Sequence, residues 1–74
     1  MKKVYCVVLS ELDKFGNRKN VWEMCEDTVL SKAKRERKKY QKRIETGEFK
    51  KLSDNLFADI EIREYETNNL IEII

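Results

Sequence analysis

Three groups of side chains in this sequence have the types and spacing to do chemistry. The first is a pair of carboxylates. Residues 56–62, LFADIEI, alternate apolar and polar positions as a strand does, so Asp59 and Glu61 share one strand face about 7 Å apart. Two carboxyls at such a distance can act as general acid and base. The chain, however, has no histidine, no glycine-rich phosphate loop and no nucleophile beside an activating base. Asp59 and Glu61 are therefore read as solvated charges on an outer strand face, and the protein is expected not to be an enzyme.

The second group is the two cysteines, Cys6 and Cys25. They lie in separate strand-like runs, with no CxxC pair and no histidine to complete a zinc site, so no metal and no cofactor is expected. A disulfide would need a hairpin register that sets residue 6 opposite residue 25. Otherwise both are small buried hydrophobes, the usual state in a reducing compartment.

The third group carries the most charge. Between Lys32 and Arg43 there are eight basic residues and one acid, Glu36, a net charge of +7. At 100° per residue Lys34, Arg35, Lys38, Lys39 and Lys42 fall on one outward arc, which makes them the candidate contacts for phosphates or for an acidic partner. Residues 44–74 carry eight acids and three bases, a net charge of −5, and residues 1–31 balance. The chain is thus dipolar although its total is only +2. Such a dipole steers complementary partners or head-to-tail copies.

Positioning the basic arc requires a helix, and residues 27–47 supply one. Val29, Leu30, Ala33, Tyr40 and Ile44 fall within about a third of the circumference, the apolar stripe of a helix packed on a sheet. Asp27 or Thr28 is expected to cap its start, and Gly47 to end it. Before it, residues 3–9, KVYCVVL, are apolar on both faces, as a central strand would be. Residues 10–20 are polar around Gly16-Asn17 and read as a long hairpin loop. Residues 21–25, VWEMC, form a second strand, an edge, with Trp22 and Met24 inward. Ile60 and Ile62 on the third strand complete the core with Leu30, Ala33, Tyr40 and Ile44.

The expected architecture is α+β: a ββαβ chain whose three-stranded antiparallel sheet has the order 2-1-3, with the basic helix across one face. Residues 1–74 form one domain, near the lower size limit for a hydrophobic core. No apolar run approaches the roughly 20 residues of a membrane span, and Met1-Lys2-Lys3 leads into a strand and not a signal peptide, so the protein is expected in the cytoplasm. The apolar residues Leu70, Ile71, Ile73 and Ile74 must pack or pair. They are the candidate contacts for a homodimer or another partner.

A Lys-led strand, a polar hairpin, a Trp in the second strand and DTVLSKA opening a Lys/Arg-rich helix resemble, over roughly residues 3–62, small phage and mobile-element ββαβ proteins. The pattern contains no residue-specific functional motif. What it implies is a class of accessory proteins, some of them inhibitors of host defence systems, that act by binding. The function expected from the sequence is accordingly a non-enzymatic protein that binds and modulates a host protein. The alternative is a nucleic-acid-binding protein that uses the helix over residues 32–43.

Overall fold

The first hairpin is longer than its polarity suggests. In the computed structural model, which describes residues 2–74, β1 spans Lys3–Leu12 and β2 spans Arg18–Asp27, leaving only residues 13–17 as the turn. Asp13 closes that turn, since its Oδ1 accepts the backbone N–H groups of Phe15 at 2.8 Å and Asn17 at 2.9 Å. Gly16 supplies the positive φ of 83° that the reversal needs. The polar residues assigned to a loop are strand residues paired with one another, as where Asn20 Nδ2 donates to Glu11 Oε1 at 2.6 Å. Cross-strand hydrogen bonds of this kind stabilise a polar ladder as apolar pairs do an inner one.

The helix α1 spans Leu30–Glu45. It begins later than the sequence suggests because Asp27 spends its carboxylate on the N–H of Val29 at 2.8 Å, which leaves Val29 at the N-cap position with no side-chain cap. Its end follows the glycine rule. Gly47 (φ 86°) donates to the Ile44 carbonyl at 3.0 Å and Glu48 to the Arg43 carbonyl at 3.1 Å, the paired closure of a Schellman end.

The sheet has four strands and not three. β3 spans Leu56–Glu64 and β4 spans Leu70–Ile73, in the order β2-β1-β3-β4, all antiparallel, so the expected 2-1-3 arrangement is extended by one strand. The extra strand forms because Asn68 accepts a positive φ of 61° and lets the apolar residues behind it turn back on β3. Its ladder with β3 is short and shifts register between Ile62 and Arg63.

Which face of β1 meets the helix cannot be read from β1 alone, since both faces are apolar. Tyr5, Val7 and Leu9 face the helix, and Val4, Cys6 and Val8 do not. The register pairs Tyr5 with Ile62, Val7 with Ile60 and Leu9 with Ala58, and these residues bury Ala33, Leu30, Tyr40 and Ile44 of α1 together with Trp22, Met24 and Cys25 of β2. Val4, Cys6 and Val8 form a separate buried strip on the other face, which no helix among the described residues covers. Cys6 and Cys25 therefore lie on opposite faces of the sheet, with Glu26 and not Cys25 opposite Cys6, and both thiols are free.

Candidate binding groove between the helix and the β3 edge

Six of the eight basic residues of the helical segment have no carboxylate within ion-pair distance among the described residues. The two exceptions are Lys39, which donates to Glu36 at 3.3 Å, and Arg43, whose Nε and Nη2 grip Glu48 at 2.7 Å each while its guanidinium lies over Tyr40. The expected single arc divides. Lys34, Lys38 and Lys42, spaced four apart, line a groove of about 540 Å³ between α1 and β3, together with Arg37, Gln41, Glu45 and Ala58. Arg35 and Lys39 are exposed but do not line it. Four cations against one carboxylate give the groove an uncompensated positive field.

The floor of the groove is an open strand edge. Ile60 exchanges both backbone hydrogen bonds with Ile74 at 2.9 Å, but residues 56–59 have no strand beside them on that side among the described residues. Gln41 takes the strand's place. Its Oε1 accepts the N–H of Ala58 at 2.9 Å, and its Nε2 donates to Glu45 Oε2 at 3.2 Å. Sequence reasoning missed Arg37, Gln41 and Ala58. Arg37 and Gln41 stand at i+3 and i+7 from Lys34, one turn-step round the same side of the helix, so spacing carries a signal for both. Nothing in the sequence marks Ala58, whose role is its smallness beside the larger Leu56, Ile60 and Ile62.

The uncovered face holds the carboxylates that resemble an acid and base pair, of which Glu61 is buried and Asp59 half-buried. Glu61 is 4% exposed, between Arg18, whose Nη2 donates to it at 2.6 Å, and Arg63, which donates through Nε and Nη2. Burial alone would raise the Glu61 carboxyl, but the hydrogen bonds from Arg18 and Arg63 outweigh it and hold the group below its ordinary value. Asp59 accepts the Ser10 hydroxyl at 2.7 Å, and that hydroxyl accepts Arg18 Nε at 3.2 Å. Both carboxylates are thus committed to neighbours. Cys6 Sγ lies within 4.8 Å of the carboxylates of Glu23 and Glu26. Burial, and then Glu23, push its thiol up to about 11, so it is protonated and weakly nucleophilic at neutral pH.

The apolar residues at 70–74 separate as well. Leu70, Ile71 and Ile73 are exposed on β4, while Ile74 turns inward against the cluster of Val7, Ile60 and Ile62. The outer side of β4 has no neighbour among the described residues. No helix among them is long and apolar enough to cross a membrane. No protein-family model matches the chain, and neither the curated proteins nor the solved structures provide a significant match.

Proposed function

We propose that this is a non-enzymatic binding protein that engages an acidic segment of another protein through the groove between α1 and β3. It acts in the cytoplasm in the manner of a phage or mobile-element accessory protein that modulates a host protein. The observation that carries this reading is the coincidence of four cations, Lys34, Arg37, Lys38 and Lys42, with a stretch of strand edge, both without partners among the described residues. Exposed cations alone serve phosphates equally well. A strand edge serves only a polypeptide, and the acidic residues of the second half of the chain repel a nucleic acid that spreads beyond the helix.

Changing Lys34, Lys38 and Lys42 together to Glu is expected to abolish binding of an acidic peptide while moving the melting temperature by no more than a few degrees. All three side chains are exposed and none makes an ion pair that would be lost. Calorimetric titration checks the first effect and circular dichroism the second. Unchanged affinity in the triple variant removes the groove from the function.

Nucleic-acid binding is the second reading, favoured by the exposed Arg35 and Lys32 that continue the positive surface outside the groove. It predicts an affinity for a short duplex that falls, for each tenfold rise in salt, by about 0.9 logarithmic units per phosphate neutralised. A salt-insensitive or absent duplex affinity rejects it.

A homodimer through β4 belongs to the same proposal, since this edge strand carries no lysine or proline to discourage pairing. Light scattering is expected to show a mass that rises with concentration, and Ile71→Lys with Ile73→Lys is expected to hold the protein monomeric. A monomer at every concentration for the unmodified chain rejects the dimer.

A further inference from the structure

We infer that the groove receives its partner as an added β-strand, an extended peptide with acidic residues at alternate positions, and that Gln41 is the latch this peptide displaces. The inference rests on the reading of the groove as a protein-binding surface and names the form the partner takes there.

The backbone alternation of β3 is the first ground. Even-numbered residues turn their N–H and C=O groups toward the β4 side: Ile60 bonds Ile74 in both directions, and the Glu64 N–H donates to Asn69. Ala58 by the same alternation turns its groups outward one step past the end of that ladder. There its N–H meets the side-chain oxygen of Gln41 at 2.9 Å. A glutamine oxygen thus occupies the position of a neighbouring strand's carbonyl. An N–H on a buried residue needs such an acceptor while the edge is empty, and a side chain that supplies it also discourages indiscriminate pairing. Unlike a strand, a side chain can swing away.

Charge fixes the chemistry of the peptide. A strand laid in line with β4 presents alternate side chains to opposite faces of the sheet. One set meets Lys34, Arg37, Lys38 and Lys42 on the helix side. The other set lies on the face of Asp59 and the exposed ring of Phe57, where further acid is repelled and an uncharged side chain is suited. Ala58, the smallest helix-facing side chain of β3, leaves the room. The volume of about 540 Å³ is in the ordinary range of ligand sites and suits a short extended segment. Main-chain hydrogen bonds then provide affinity, and the cations select the sequence, as in other cases of strand addition.

The test is a blocked hexapeptide of alternating glutamate and threonine, titrated into the whole chain at low salt and followed by amide NMR. The Ala58 amide signal is expected to shift and its hydrogen exchange to slow tenfold or more. Methylating the peptide nitrogens along one edge is expected to weaken binding tenfold or more, and methylating those along the other edge to leave it unchanged. Gln41→Ala, which removes the latch, is expected to bind several-fold more tightly, the scale of one net hydrogen bond. A peptide that binds equally well with either edge methylated and leaves the Ala58 amide unmoved overturns strand addition while the reading of the groove as a site for acidic polypeptide survives. An oligonucleotide of equal charge that binds as tightly, or a peptide that fails to bind at low salt, overturns both.

Discussion

Ile60→Ala is expected to cost about 2–5 kcal/mol of folding stability. Ile60 has no exposed surface, pairs with Val7 of β1 on one side and Ile74 on the other, and packs with Ala33 of the helix. Its truncation leaves a cavity where three strands and α1 meet, and a sheet stapled on both sides of the site collapses poorly into it. A chain of 74 residues is expected to hold about 4–11 kcal/mol in total, so the variant loses between a fifth and all of it. At about 4–8 °C per kcal/mol the melting temperature falls by about 8 °C or more. Ile73→Ala on the adjoining strand, where the side chain is 40% exposed, is the control and is expected to cost about 1 kcal/mol. Urea and thermal unfolding by circular dichroism measure both. An Ile60→Ala variant that melts with the unmodified chain overturns the placement of β3 at the centre of the sheet.

Ile60 also marks how much was legible in the sequence. Period-two alternation from Leu56 to Ile62 has one physical cause, a half-buried strand, and so β3 and its inward residues could be read directly. The same holds for Gly47, since few residues other than glycine take a positive φ at a helix end without strain. Where two physical causes produce one pattern, the sequence was silent or misleading. β1 is apolar on both faces, so its parity depends on partners 50 residues away. The polar run at 10–20 looked like a loop because polarity is common to loops and to solvent-facing strands. Here Asn20 and Glu11 pair across a ladder.

The candidate site divides along the same line. Lys34, Lys38 and Lys42 were legible as one ridge because they share a four-residue period. That the ridge borders an open stretch of β3 depends on where β4 stops pairing, and no residue near α1 encodes that. Asp59 and Glu61 show the opposite error. Carboxylates at alternate strand positions looked solvated, but Arg18 reaches Glu61 from 43 residues away, a separation that leaves no local pattern, and joins Arg63, two residues along the same strand, in covering it.

Those two arginines set the second large effect. Glu61→Gln leaves Arg18 and Arg63 facing an uncharged amide, and loss of one partner from a fully buried pair costs about 3–5 kcal/mol. The arginine side chains here are 26% and 21% exposed, so water recovers part of the loss and the expected cost is about 1–3 kcal/mol. The pH dependence identifies the group. The carboxyl of Glu61 is held below its unfolded value of about 4.3, so its contribution is complete above that pH and is lost as the pH falls through the lower, folded value. Stability of the unmodified chain is therefore expected to drop on acidification below about pH 4, more steeply than that of Glu61→Gln, whose amide does not titrate. Parallel profiles would show that Glu61 contributes nothing through its charge. Replacing Arg18, Glu61 and Arg63 together by Leu removes the desolvation cost along with the pair, and is expected to recover most of the stability lost in Glu61→Gln. The price appears on the surface. Val21, Phe57, Leu70 and Ile73 are each at least 40% exposed, and their strand partners Ser10, Glu61 and Arg63 place them around this network on the uncovered face. A triple-Leu variant joins them into one apolar sheet face and is expected to associate more strongly in light scattering than the unmodified chain, while resisting urea. A triple-Leu variant that associates no more than the unmodified chain would refute the assignment of the network as the element that keeps this face from sticking.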